Sequence, residues 1–161
     1  MKKPTNTIAP DAKIGKNVRI WHYAYVGSKT VIGDNVKIGS LAHVDYDVVI
    51  GSGTKIEGSV YIPPMSRIGK NVFIGPAVVL TNDPYPPSKR MIGVTIEDDA
   101  VICARAVIKA GVRIGKRAVV AMGAVVTKDV PSGKVVMGIP ARTVYTRKEF
   151  DVKMKKWESG S

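Results

Sequence analysis

The residues best suited to chemistry are two histidines, one Asn-Asp pair and a single cysteine. His22 and His43 are side chains of the type that accept protons near neutral pH or ligate metal ions. Asn82 and Asp83 stand directly before a proline, where they either form a turn or present an amide and a carboxylate to a ligand. Cys103 has no histidine nearby in the sequence to activate it, so we interpret it as a packed residue.

These residues stand on a sequence repeat of six residues that governs most of the chain. From Ile8 to Leu80 every sixth residue is aliphatic, and after a proline-rich break the rhythm resumes at Ile96 and runs to Val126. A smaller residue usually follows four positions later, and a glycine often follows directly. Neither an α-helix nor a simple alternating strand has this period, which is typical of a parallel β-helix.

The repeat predicts how the chain is built. Each hexad forms a short strand and a corner, and three hexads close a triangular coil whose aliphatic residues point inward. Coils stack at about 4.8 Å, and we expect the glycines to sit at corners that need conformational freedom. The segment VPSGKVVMGIPARTV, residues 130–144, breaks the period and is predicted to end the prism.

The predicted fold class is therefore all-β: a parallel β-helix with one extruded loop and a short C-terminal helix. The β-helix domain spans residues 1–142, with its loop at residues 82–95. The tail, residues 143–161, has many charges and few helix breakers, so we expect a short helix there. Such a helix would protect the open end of the prism.

Composition narrows the classes of partner. With 161 residues and 45% hydrophobic content, the chain suits one domain, and it has no apolar run long enough to span a bilayer. The lone cysteine and the lack of an apolar segment after the first lysines predict a cytoplasmic protein without a membrane partner. The net charge of +12 is dispersed, which argues against a nucleic-acid partner and fits a solvated surface or phosphorylated small molecules.

The hexads, together with AVVAMGAVVTKDVPSGKVVMGIPAR at residues 118–142, resemble the left-handed β-helix acyltransferases. The resemblance covers residues 8 to 142 and implies a left-handed coil, a homotrimer, and acetyl-CoA or a related acyl donor bound between subunits. Two shorter segments, RIWHYAYVG at 19–27 and LTNDPYPPS at 80–88, resemble N-acetyltransferases of nucleotide-linked amino sugars. They imply a nucleotide-sugar substrate and a role in polysaccharide biosynthesis.

The absence of histidine from residues 81–95 helps to decide whether the acceptor is a hydroxyl or an amine. Sugar O-acetyltransferases of this fold carry a catalytic histidine in the corresponding loop, and residues 81–95 contain none. A hydroxyl needs a general base, whereas a sugar amine with a pKa of about 8 is about one tenth deprotonated at pH 7. The sequence therefore favours an amine acceptor. A sugar O-acetyltransferase, a γ-type carbonic anhydrase and a non-catalytic β-helix remain alternatives.

The γ-type carbonic anhydrases bind zinc with three histidines, and this chain has two. We therefore predict no metal site.

The acceptor site is expected around the loop and one outer face. The resemblance implies that Asn82 bonds the amine and that Asp83 orients it or takes its proton. Steps of one coil place His43 between Tyr25 and Tyr61, so we expect this column to bind the sugar or nucleotide. Such an aromatic column is too apolar to be left in water, which also predicts the homotrimer. His43 is also a candidate catalytic residue, together with Asn82 and Asp83, and both histidines could equally be surface or interface residues.

The resemblance also implies contacts to CoA. Ala104 and Ala121 offer backbone N–H groups to the pantetheine arm, and one of these could hold the thioester oxygen. Lys128 and Arg142 match positions near the CoA phosphates, with a solvated surface as the alternative. The remaining candidates for substrate binding are His22 and Glu57.

Overall fold

The computed structural model describes residues 5–160, and most of its strands are two residues long. The strands before the loop are β1 Thr7–Ile8, β2 Lys13–Ile14, β3 Arg19–Ile20, β4 Tyr25–Val26, β5 Val31–Ile32, β6 Lys37–Ile38, β7 His43–Val44, β8 Val49–Ile50, β9 Lys55–Ile56, β10 Tyr61–Ile62, β11 Arg67–Ile68, β12 Phe73–Ile74 and β13 Val79–Leu80. Those after it are β14 Thr95–Ile96, β15 Val101–Ile102, β16 Val107–Ile108, β17 Arg113–Ile114, β18 Val119–Val120, β19 Val125–Val126, β20 Lys134–Met137 and β21 Arg142–Thr146. One helix, α1 Arg147–Glu158, ends the described chain.

The strands assemble into three sheets that form the sides of a prism. The tyrosine face comprises β1, β4, β7, β10, β13, β16 and β19. The mixed face comprises β2, β5, β8, β11, β14 and β17, and the basic face runs from β3 through β6, β9, β12, β15 and β18 to β20 and β21. Strands pair in parallel with the strand one coil away, as Thr7 does with Tyr25. The predicted parallel β-helix is confirmed.

The interior follows the repeat. The aliphatic residue of each hexad is buried from Val26 onward, whereas Ile8 and Ile14 are still 43% and 41% exposed at the first coil. The smaller inward positions include three buried hydroxyl residues, each donating to a backbone carbonyl: Thr30 to Asp45, Thr54 to Gly69 and Ser66 to Pro63. These hydroxyls therefore lie inside the prism without an unpaired donor.

The corners overturn one prediction about glycine. A left-handed backbone recurs at nearly every corner, but mostly at other residues, such as Leu41 with φ 63° and Asp47 with φ 53°. The glycines after the inward aliphatics do not have positive φ, and they leave room for the next coil. A Cβ on Gly51 would lie 2.5 Å from the carbonyl carbon of Gly69. The prediction that these glycines supply conformational freedom is wrong, because their role is close approach.

The C-terminal end also differs from the prediction. The stack continues beyond residue 130, since Val135 of β20 pairs in parallel with Val119, and β21 then turns back antiparallel to β20. The predicted helix is confirmed, but it begins only at Arg147, after Thr146 and Glu149 form a capping box. The last strand at this end of the sheet is therefore β21, which covers the edge of β20. Among residues 5–160, no helix has the length and apolar character needed to cross a bilayer.

The close stacking of coils predicts a strong difference between two glycine substitutions. Gly51→Ala should lower the free energy of unfolding by about 1–3 kcal/mol, the usual cost of forcing extra atoms into packed space. All three atoms nearest the new Cβ are backbone atoms of the next coil, at 2.5–2.7 Å. Gly58→Ala is the matched control, because its Cβ meets only the Ser40 carbonyl oxygen at 3.0 Å. Urea unfolding of the two variants tests this, and equal midpoints would contradict the packing role.

Candidate functional site

An aromatic column stands on the tyrosine face. His43 pairs with Tyr25 on one side and with Tyr61 on the other, as the coil step predicts. The His43 ring stacks on Tyr25 with centroids 4.6 Å apart and meets Tyr61 at 5.5 Å in a tilted arrangement. The two tyrosines are half-buried while His43 is exposed. The imidazole is therefore held between two rings with its edge open to a ligand.

Asp45 joins this column at the corner that follows β7. Its Oδ2 lies 3.7 Å from His43 Nε2, and it accepts a hydrogen bond from the Tyr61 hydroxyl at 3.4 Å. Its Oδ1 accepts the Tyr46 backbone N–H at 2.8 Å, which fixes the carboxylate. Burial, and after it the Asp45 charge, raises the pKa of Tyr61 above its usual 10. A histidine with a fixed carboxylate 3.7 Å from its ring nitrogen has the arrangement of a general base and its partner.

Sequence reasoning missed Asp45. The available signal was the spacing His43-x-Asp45, since residues two apart on an extended chain point to the same side. That spacing could not show whether the corner would carry the carboxylate back towards the imidazole.

The loop after β13 is internally organised by Asp83. Its carboxylate accepts the backbone N–H groups of Tyr85 at 2.9 Å and Ser88 at 2.6 Å, and also the Ser88 hydroxyl at 2.9 Å. These bonds, chiefly the one from the Ser88 N–H, lower the pKa of Asp83 below its usual 3.8. A carboxylate stabilised in this way is a weak base. The geometry therefore favours the turn-forming alternative for Asp83.

Asn82 lies at the neck of the same loop. Its carbonyl accepts the Ile92 N–H at 2.8 Å, which closes the loop, while its side-chain amide lies 3.2 Å from the Met91 sulfur. Sulfur is a weak acceptor, so this amide is free to exchange its contact for a better one. The loop leaves the prism at the same corner of the coil as Asp45. His43 lies two coils away from Val79, roughly 10 Å along the axis, so a ligand must span that distance to touch both sites.

The proposed donor residues lie at the other end of the chain. The Ala121 N–H already donates to the Val136 carbonyl at 2.9 Å, so it does not offer a hydrogen bond to CoA. Within residues 5–160, no backbone hydrogen bond uses the Ala104 N–H. Arg142 and Lys128 are exposed, and within the described residues the Arg142 guanidinium donates only to the neighbouring Ala141 carbonyl, at 2.9 Å. The two cations are therefore available to an anionic ligand.

The other candidates lie apart from the column. His22 Nδ1 is 2.8 Å from the Thr5 hydroxyl, and Glu57 pairs with Lys55 at 2.6 Å on the basic face. Cys103 is half-buried, and burial raises the pKa of its thiol, as expected of a packed residue. In the described part of the chain, no group of three or more His, Cys, Asp or Glu residues is arranged to hold a metal ion.

Family models match both halves of the chain. The model described as bacterial transferase hexapeptide (six repeats) matches residues 11–45 and 29–64, and the model for the hexapeptide repeat of succinyl-transferase matches residues 92–128. A curated relative, the 2,3,4,5-tetrahydropyridine-2,6-dicarboxylate N-acetyltransferase of Staphylococcus aureus, is 53% identical over 76 residues. That match spans 47% of this chain but only 31% of the relative, so the chain corresponds to part of that enzyme.

Solved structures agree with the family models. PerB from Caulobacter crescentus, crystallised with CoA and GDP-perosamine, shares the fold at 24% identity and a TM-score of 0.55, over 88% of this chain and 55% of PerB. The hexapeptide-repeat-containing acetyltransferase of Vibrio cholerae is 30% identical with a TM-score of 0.60, over 76% of this chain and 73% of that protein. A second structure of the Vibrio protein, complexed with acetyl coenzyme A, matches at 28% identity and a TM-score of 0.51, covering 83% of this chain and 70% of that one. With this repeat, this fold and these relatives, the chain belongs to the hexapeptide-repeat acyltransferase family.

Proposed function

We propose that the protein transfers an acetyl group from acetyl-CoA to the amine of a nucleotide-linked amino sugar. Membership of the acyltransferase family supports the reaction class, and the acetyl-CoA complex of the Vibrio relative supports the donor. The observation that carries the acceptor proposal is the His43–Asp45 pair, set between two tyrosines on an open face. The PerB complex with GDP-perosamine is consistent with a nucleotide-sugar acceptor for this fold.

The proposed chemistry is a direct transfer. The neutral amine attacks the thioester carbon, the C–S bond breaks, and CoA leaves as a thiolate. The amine loses one proton, which His43 accepts directly or through one water, and Asp45 stabilises the imidazolium at 3.7 Å. The Asn82 amide positions the acceptor from the loop, and Asp83 keeps that loop folded.

The proposed binding site for acetyl-CoA lies towards the C-terminal end of the prism. The Ala104 N–H is offered to the pantetheine arm, and Lys128 and Arg142 are offered to the CoA phosphates. Arg binds phosphate with two parallel hydrogen bonds, whereas Lys acts as a point charge. These residues lie several coils from His43, and we propose that the extended donor lies along a groove between two subunits and so brings its thioester to the imidazole. The homotrimer is therefore part of this proposal.

One relative favours a second acceptor. The segment that is 53% identical belongs to an enzyme named for 2,3,4,5-tetrahydropyridine-2,6-dicarboxylate. That acceptor is a small dianion, which also suits a protein of net charge +12. It lacks a nucleotide, so it would not need a nucleotide-binding surface.

Acetyl transfer to a panel of acceptors separates the two candidates. UDP-, dTDP- and GDP-linked amino sugars are compared with the matched free amino sugars and with tetrahydropyridine-2,6-dicarboxylate, and release of CoA thiol is measured. We expect turnover with at least one nucleotide-linked amine and at least a tenfold lower kcat/KM for the free sugar, because remote contacts contribute to transition-state binding. Turnover with the dicarboxylate alone would replace the first candidate by the second.

The proposed proton acceptor makes a separate prediction. His43→Gln should lower kcat by about 10²-fold, the lower end of a general base's contribution, and should leave a pH–rate profile set by the amine alone, with its pKa of about 8. Asp45→Asn should lower kcat less, because the imidazole remains but its cation is no longer stabilised. Asp47→Asn is the matched control, since that carboxylate pairs with Arg67 instead. A His43→Gln enzyme with an unchanged pH profile would remove His43 from the chemistry.

The loop residues should respond differently from His43. Asp83→Asn should speed amide exchange at Tyr85 and Ser88 and lower kcat modestly, without changing the shape of the pH–rate profile. The pKa of Asp83 is lowered in the folded protein, so its contribution to loop order is present above pH 3.8 and lost as pH falls through the lower, folded value. Asn82→Ala should lower kcat with normal exchange in the loop. A changed pH profile with normal amide exchange in Asp83→Asn would make Asp83 the base.

A further inference from the structure

We propose that Arg19, Lys37 and Lys55 form a ladder on the basic face that binds the diphosphate of a nucleotide. The identity of the ligand as the acceptor's nucleotide rests on the proposed function, whereas binding of a diphosphate does not. Trp21 would contact the base, and Glu57 would contact the ribose hydroxyls.

The ladder is set by strand register. Arg19 of β3 pairs with Lys37 of β6, and Lys37 pairs with Lys55 of β9. All three side chains are exposed at the outward position of their strands. Neighbouring strands lie about 4.8 Å apart, so three cations project in one line from consecutive coils. Like charges directly opposite one another on a sheet are unfavourable, and a bound polyanion removes that repulsion.

Among residues 5–160, only one carboxylate forms an ion pair with a cation of the ladder. Lys55 pairs with Glu57 at 2.6 Å, while Arg19 and Lys37 have no ion pair among residues 5–160. The three cations and one carboxylate leave a local charge of about +2. The Lys55 Nζ also lies 5.8 Å from the centroid of the Phe73 ring. Phe73 occupies the equivalent position of the next coil, so the row of cations ends there.

The outward cations of the mixed face differ from those of the ladder in their spacing and in their ion pairs. Its outward cations are separated by Val31, Val49 and Thr95, which interrupt the run of charge. Arg67 pairs with Asp47 at 3.1 Å, and Arg113 pairs with Glu97. Among residues 5–160, both arginines of the mixed face therefore have a carboxylate partner, whereas only Lys55 of the ladder has one.

Two concave spaces flank the ladder. A cavity of about 290 Å³ lies on one side and is lined by Trp21, Lys37, Lys55 and Glu57 together with Gly39, Ser40, Ile56 and Gly58. A second space of about 470 Å³ lies on the other side, where Lys37 is joined by Arg19 and Asn35. Trp21 is 43% exposed and lines the first cavity. Lys37 lines both spaces, so it is the central residue of the site.

CoA is the other source of a diphosphate. The proposed CoA residue Arg142 lies on β21, five strands along the basic face from Lys55, which is about 24 Å at the usual spacing. A single donor molecule bound at Arg142 therefore does not place its diphosphate on the ladder of the same subunit. We assign the ladder to the acceptor, and the experiment distinguishes the two sources.

Binding is measured by the fluorescence of Trp21. The chain has two tryptophans, and Trp157 is 85% exposed on α1, so Trp157→Phe leaves Trp21 as the sole reporter. UDP and GDP should change this signal saturably, pyrophosphate should compete with them, and rising KCl should weaken all three. Lys37→Gln should raise the Kd of UDP and GDP about tenfold, as expected for loss of one charge-assisted hydrogen bond. Lys13→Gln, an exposed lysine on the mixed face, is the matched control and should bind as the parent does.

The binding and activity measurements together distinguish failure of the ladder from failure of the proposed function. No saturable response to UDP, GDP or pyrophosphate, or equal affinity in Lys37→Gln and Lys13→Gln, overturns the ladder. Weaker binding of CoA with unchanged binding of UDP and GDP in Lys37→Gln overturns its assignment to the acceptor. Diphosphate binding that depends on Lys37 without acetyl transfer to any nucleotide-linked amine supports the ladder while contradicting the proposed function. Acetyl transfer with an unchanged acceptor KM in Lys37→Gln overturns the ladder alone.

Discussion

The backbone hydrogen bonds between successive coils are the constraint on which the rest of this structure depends. Backbone N–H groups of one coil donate to carbonyl groups of the next, as Val49 does to Ser66 at 3.1 Å and Gly51 does to Ile68 at 2.8 Å. This pairing fixes the register, so every outward side chain belongs to a column whose members are one coil apart. The glycines make the spacing possible, because a Cβ at Gly33 or Gly51 would collide with the backbone of the next coil.

The interior is repetitive, so the side chains that vary in chemical type lie on the three outer faces. The tyrosine face carries aromatic rings, and the mixed face carries Val31 and Val49 next to the ion-paired Arg67. The basic face begins with three cations and continues with Phe73, Val101 and Val119. The repeat thus acts as a scaffold that presents three different surfaces at fixed spacing. The loop at one corner and the carboxylate of Asp45 add the irregular features that a site needs.

The sequence predicted the coil and its columns because each depends only on period. The stacking of His43 between Tyr25 and Tyr61 follows from counting one coil in each direction, and the structure agrees. What period cannot reveal is the direction of a side chain at a corner, so the approach of Asp45 to His43 was missed. The antiparallel return of β21 and the use of the Ala121 N–H by Val136 also depend on contacts made after the repeat ends.

The loop and the aromatic column are separated by two whole coils, and this interval has a consequence for the length of the ligand. Coils come only in whole numbers, so the distance between the two sites changes in steps of about 4.8 Å. An acceptor that contacts both sites must therefore match one of these fixed lengths. Relatives that gained or lost one coil between these sites would select acceptors longer or shorter by one such division, with the chemistry at each end unchanged.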